Sequence, residues 1–382
     1  MPWREQDRMG LRAEVCAMVR QGALPVSEVA NRYGVSRKTV YKWLQREAAG
    51  ESLADQSRRP HTTPRQTPPE IEAVVLAVRD RYPTWGSRKL RVVVEREQGL
   101  TIPPTTIDRI LRRSGRIDPQ ARLEHRPLRR FERSAPNELL QLDFTGHFPL
   151  ERGRCHPLPL LDDHSRFLLG LVACANEQRG GVEAMLTAIF ERYGVPEAIL
   201  CDHGPPWGTK QGRLGLTRLS VWLMKQDIAV IHGRPRHPQT QGKLERFNRT
   251  LNAEVIRGRT FRDLAEVQAA FDHFRDIYNQ ERPHQALDLA TPMSRYHPSS
   301  RPYRATPEPF DYGAEVEVRR VDVTGRISWR GAIIAISDAL AGEDVGIRPI
   351  QPEGTMEVIY RRTTLKRLPG PGRDQATACR EC

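Results

Sequence analysis

At 382 residues the chain is long enough for several modules of ordinary domain size. Hydrophobic residues make up 38% and charged residues 28%, and the longest apolar run, Leu168 to Ala175, is far below the roughly 20 residues of a membrane span, which excludes a membrane protein. The net charge of +13, carried by 60 basic residues of which only seven are lysine, favours an anionic partner with nucleic acid foremost, although an arginine-rich codon bias alone would give the same balance.

No apolar leader stands in MPWREQDRMG, so the expectation is a cytoplasmic, nucleoid-associated protein. Its six cysteines are then reduced. Cys379 and Cys382 form a lone CxxC without the second ligand pair that a structural zinc site needs.

Residues 1–50 predict a helix-turn-helix DNA-binding domain. Leu11, Val15, Met18 and Val19 recur at helical spacing, and Gly22 to Pro25 breaks that helix. Ser27 is placed to cap a short helix, Glu28 to Tyr33; after a turn at Gly34 and Val35, Ser36 caps a longer one, Arg37 to Glu47. Arg37, Lys38, Thr39, Tyr41 and Lys42 open that last helix and suit base edges and phosphates of a major groove. A plain three-helix bundle with a basic face would share this pattern.

Residues 48–69, rich in Pro, Ser, Thr and Arg, predict a linker. Residues 65–116 predict a second helix-turn-helix-like domain. Its helices carry Ile71, Val74, Val75 and Val78, then Leu90, Val93 and Val94, then Ile107, Ile110 and Leu111, with Arg109, Arg112 and Arg113 outward on the last. A basic linker follows to Pro136, with Arg122, Arg126, Arg129, Arg130 and Arg133.

Over 132–300 strands come first (LLQLDFTGHF, HPLPLLDDHSRF, FLLGLVACA). Helices and strands then alternate: Gly181 to Tyr193, AILCD, Arg218 to Gln226, IAVIHG, Gln239 to Arg257 and Leu264 to Gln280. This order predicts a mixed sheet flanked by helices. Residues 306–368 contain short strands between glycine turns and predict a small SH3-like β-barrel, either a further DNA contact or a cap. The fold class expected for the whole chain is multidomain α+β.

Three carboxylates stand out. Asp143 lies within the first strand, Asp202 ends the AILC strand, and Glu245 lies on the helix GKLERFNRTL. A buried carboxylate is costly unless paired or coordinated. Leu244, Phe247, Leu251 and Val255 form the apolar stripe of that helix, leaving Glu245 on the flank of Asn248 and Asn252, able to reach toward the strand ends. Oxygen ligands of this kind suit magnesium, and two such ions stabilise the attacking and leaving oxygens of a phosphoryl transfer. Lys243, Arg246 and Arg249 around Glu245 would hold a DNA backbone, unless they are only a solvated basic face. Asp162 and Asp163 also lie at a strand end, and Glu254 shares the helix of Glu245 on a flank nearer solvent.

The runs LDFTGHF, LLDDHSRF, ILCDHGPPWG, RPRHPQTQGKLERFNRTLNAE and YNQERPHQALDLATP resemble the integrase-type core of DDE insertion-sequence transposases, over about residues 130–300. The resemblance implies a ribonuclease H-like fold and two magnesium ions, replaceable by manganese, on Asp143, Asp202 and Glu245. It implies a transposase that binds the terminal inverted repeats of a mobile element, cuts strands and joins the 3′ ends to target DNA, as a homodimer or larger assembly on DNA. The usual Asn after the second Asp is His203 here, and the connection to the Glu is long. The alternatives are a DNA-binding regulator with an inactive core and a structure-selective nuclease that never joins strands.

Overall fold

The structure is a computed structural model that describes residues 8–55, 66–117, 132–209, 213–233, 242–350 and 355–368. The chain divides into two units, Met1–Thr67 and Pro68–Cys382. Most of the basic linker and the terminal CxxC lie outside the described residues.

The first unit holds α1 (Arg8–Arg20), α2 (Val26–Arg32) and α3 (Arg37–Ala48) around a small core of Val15, Val29, Ala30 and Val40. Gly34, at φ +62°, takes the left-handed turn between α2 and α3. The Ser36 hydroxyl accepts the Thr39 N–H at 3.2 Å and so caps α3 as expected. Ser27 caps nothing. The Pro25 carbonyl accepts from Glu28 and Val29, so α2 starts at Val26 and takes Ser27 inside it.

The second unit begins with α4 (Pro69–Arg81), α5 (Ser87–Gln98) and α6 (Pro104–Arg113), whose buried Val75, Val78, Leu90, Val93, Val94, Ile107, Ile110 and Leu111 are the apolar positions expected from spacing. Then comes a six-stranded sheet: β1 (Leu140–Leu142), β2 (Phe148–Pro149), β3 (Arg154–Asp162), β4 (Leu168–Cys174), β5 (Ala198–Cys201) and β6 (Ala229–His232). The order is β2-β3-β1-β5-β6 with β4 paired to β3. Pairing is antiparallel among the first strands and parallel from β1 to β5 to β6.

Successive residues of β3 face opposite sides: Leu160 joins a core with α7 (Arg179–Tyr193) and α8 (Arg218–Lys225), Leu161 one with α9 (Gly242–Leu251) and α10 (Leu264–Asp276). Both faces of the sheet are therefore covered by helices. α9 and α10 are shorter than the sequence pattern suggests, because each passes into a π-helical turn, Asn252–Ile256 and Ile277–Glu281.

Two further expectations change. The first predicted strand is two short ones, and Asp143 stands just past the end of β1 rather than within it. Thr145 N–H donates to the Pro157 carbonyl, so Pro157 and Pro159 of β3 face this segment without an N–H to give, and the ladder stops after Leu142. Nor do the C-terminal strands close a barrel. β7 (Glu317–Arg320), β10 (Asp344–Ile350), β11 (Thr355–Tyr360) and β12 (Thr363–Leu368) form an open antiparallel sheet in the order β12-β11-β10-β7. β8 (Arg326–Trp329) and β9 (Ala332–Ala335) pair only with each other among the described residues. Closure would need hydrogen bonds between the two sheets; they share instead a side-chain core with Leu216, Val221 and Met224.

Candidate active site

The parallel ladder between β1 and β5 matches Leu140 with Ile199 and Gln141 with Leu200. Continued by two residues, this register sets Asp143 opposite Asp202, each the first residue beyond its strand. Neighbouring strands lie about 4.8 Å apart, so two carboxylates project from one edge of the sheet. Burial pushes the Asp143 carboxyl up to about 7, with the charges of Asp202 and Glu177 adding to the rise and a hydrogen bond from the Phe144 N–H opposing it.

The turn after β5 holds the second carboxylate in place. Asp202 Oδ1 accepts the Gly204 N–H at 2.9 Å, and a Cβ at residue 204 would meet Asp202 Oδ2 at 3.0 Å. Trp207 folds back under this turn, buried, with its ring 6.0 Å from that of Phe144, the residue after Asp143. From β6, His232 Nδ1 donates to the Asp202 carbonyl at 2.7 Å, and its ring stacks on His203 at 4.9 Å. Sequence reasoning missed Phe144 and Trp207 in these supporting roles, where the apolar and aromatic residues flanking both Asp positions were the available signal; His232 reads from the sequence as structural or phosphate-facing rather than a metal ligand.

Glu245 lies in the first turn of α9, exposed, off the buried stripe of Leu244, Phe247, Leu251 and Val255. It is not among the charges acting on Asp143. Among the described residues no three His, Cys, Asp or Glu side chains are gathered closely enough to hold a metal ion. Lys243, two residues earlier, is tied down: its Nζ pairs with Asp163 Oδ2 at 2.5 Å and donates to the Asp163 carbonyl at 3.1 Å. Asp163 also accepts from Gln141 Nε2 at 2.7 Å and from the Arg133 N–H at 2.9 Å. Asp162 is fully buried and accepts from Ser165 and Asn137, which accounts for it as a turn residue. Glu254, expected nearer solvent, is turned inward to Arg282.

The remaining basic positions fall on open surfaces. Arg37, Lys38, Tyr41 and Lys42 are exposed on α3, with Thr39 half-buried beside Ser36. Arg109 and Arg112 are exposed on α6, while Arg113 pairs with Glu72. Arg246 and Arg249 are exposed on α9. Arg249 lines a cavity of about 360 Å³ with Thr145, His147, Asn248 and Asn252.

The mixed sheet thus carries two carboxylates at one edge, and the same chain holds small helical modules with exposed basic residues. The chain matches the Integrase core domain family over 133–238 and 226–292, the Helix-turn-helix domain family over 11–61, the Homeodomain-like domain family over 39–111, and the IS481 family transposase C-terminal domain over 316–368. It is 25% identical over 300 residues to a Sinorhizobium fredii protein named "Putative transposase y4bF", covering 74% of this chain and 65% of that one. It is 25% identical over 233 residues to an uncharacterised 31.7 kDa protein of insertion element IS407 from Burkholderia multivorans, covering 59% of this chain and 81% of that one. Similar solved structures include the HTLV-2 integrase catalytic core with magnesium (15% identity, 43% of this chain, 99% of that chain, TM-score 0.33). By its sequence matches the chain is similar to insertion-sequence transposases, with an integrase-core likeness over 133–292. The chain spans about two thirds of the Sinorhizobium relative's length.

Proposed function

We propose that the protein is a DDE transposase that binds the terminal inverted repeats of a mobile element, cuts DNA strands there and joins the freed 3′ ends to target DNA. The observation that carries this reading is the pairing of Asp143 with Asp202 at the ends of two adjacent parallel strands, with the Asp143 carboxyl raised to about 7. Burial and the neighbouring Asp202 charge make Asp143 hold its proton; a divalent cation between two such carboxylates relieves the same repulsion, so the donor set fits magnesium. Asp143 and Asp202 would hold such ions, with Glu245 supplied from the exposed flank of α9. When bound, they supply charge neutralisation at the phosphate and a more acidic nucleophile.

The chain's own residues do the rest. Gly204, Trp207 and His232 keep Asp202 in position, and Phe144 packs behind Asp143. Arg246 and Arg249 stand on the face of Glu245, where a phosphate backbone would pass. α3 and α6 offer the basic faces that would read the element's ends. The test is a strand-cleavage and joining assay on duplexes carrying the DNA that flanks the coding region. Magnesium-dependent 3′ nicking at the element boundary supports the reading, and binding without any nicking by the wild-type protein rules it out in favour of a regulator.

A further inference from the structure

The second helical module packs against the catalytic core through a compact polar and aromatic contact. Trp85, between α4 and α5, is 1% exposed. Tyr82 stacks on one face of its ring at 3.9 Å and an interplanar angle of 7°. The Arg282 guanidinium, from the core, lies 5.5 Å from the ring centroid, and Lys89 Nζ lies 5.9 Å from it. Arg282 is itself 7% exposed and pairs with Glu254, which also accepts from the Thr84 hydroxyl at 2.6 Å. The Tyr82 hydroxyl donates to Glu281, Arg96 donates to the Glu281 carbonyl, and Ile277 packs on the module's core. Burial and Glu281 together push the Tyr82 hydroxyl up to about 12.

All the core's anchors come from one kind of place. Glu254 lies in the π-helical turn that follows α9, Ile277 and Glu281 lie in the one that follows α10, and Arg282 closes the latter. Each such turn departs from the regular helical ladder and turns side chains aside, and such turns cluster at functional sites. The contact leaves Arg109 and Arg112 of α6 exposed. One partner of the contact, Glu254, sits nine residues along the chain from Glu245.

We infer that Trp85, Arg282, Thr84 and Glu254 lock the second module onto the core, so that the protein cuts at a fixed number of base pairs from the sequence this module contacts. This rests on the proposed end-binding and cleavage; the docking itself does not. Breaking a contact between a buried ion pair and an aromatic platform frees the module without touching α6 or the paired aspartates.

Two measurements on the full-length protein decide it. The first uses no DNA: hydrogen exchange over residues 82–89 and 277–284. The wild type is expected to be protected there, and the double variant Thr84→Ala, Glu254→Gln to exchange about tenfold faster in both segments while β3 is unchanged. Equal exchange in the two proteins overturns the docking, whatever the outcome for activity. The second uses duplexes with 5 or 10 base pairs inserted between the second module's footprint and the cut. The wild type is expected to move its cut with the insertion, keeping the distance to the footprint within one base pair. The double variant is expected to bind with less than threefold change in affinity but to scatter its cuts over several nucleotides. A wild type that keeps cutting the original phosphate despite the insertion overturns the spacing role.

Discussion

Asp143 and Asp202 occupy the same step of the parallel register between β1 and β5, each one residue beyond its strand. The two carboxylates therefore share one edge, and the charge of Asp202 adds to the cost of charging Asp143.

A pH dependence follows with a definite sign. The Asp143 carboxyl is raised to about 7 from its ordinary 3.8, by burial first and Asp202 second. Without metal, the folded protein keeps this proton over a range in which the unfolded chain has lost it. Its contribution to stability is complete below about pH 4 and is lost as pH rises to about 7, then levels off. Thermal unfolding in chelator should show the wild type losing stability between pH 5 and 7 relative to Asp143→Asn. Parallel curves for the two proteins would remove this account.

The same competition predicts metal behaviour. A cation must displace the Asp143 proton, so the magnesium concentration for half-maximal cleavage should fall as pH rises through 7. A cleavage titration at pH 6, 7 and 8 measures this; a requirement that rises with pH contradicts it.

Asp143→Asn, Asp202→Asn and Glu245→Gln should each abolish strand cleavage while leaving end binding intact, because the basic faces of α3 and α6 lie on other elements. A gel shift and a cleavage assay on one oligonucleotide read both properties. Normal cleavage by any one variant excludes that residue from the site.

Lys38→Ala should weaken end binding and lower the slope of log affinity against log salt by ~0.9 if it meets one phosphate. An unchanged slope would show Lys38 off the backbone. Asp163→Ala, by contrast, should destabilise the fold by roughly 3 kcal/mol, since it strands the half-buried Lys243 ammonium. Adding Lys243→Met should restore much of that loss in urea unfolding. No recovery would mean that the ion pair is not what Asp163 contributes.

The active form should hold two copies on two DNA ends, because one pair of aspartates serves one phosphate at a time and an element has two ends. Mass measurement with and without end DNA tests this. A single chain on a single end that completes two-ended joining would refute it.

Much of the architecture is legible in local pattern. The apolar spacing of Val75, Val78, Leu90, Val93, Ile107 and Leu111 places three helices, because a helix buries whatever recurs every three to four residues. Ser36 before Arg37 marks the start of α3, because a hydroxyl there meets an otherwise unpaired N–H. The positions of Asp143 and Asp202, each at the end of an apolar run, are equally local. That these residues share one edge depends on strand order, and β1 and β5 are separated by more than fifty residues that no short pattern spans. The prolines that end β1 belong to a different strand, and the seat of Trp85 is an arginine almost two hundred residues away. The final sheets stay open because hydrogen-bond pairing, unlike alternation along one strand, is a property of two segments at once. Sequence determined the elements and the chemistry they carry; which side chains meet was decided by packing, because burial rewards any apolar neighbour while a register or an ion pair admits only one.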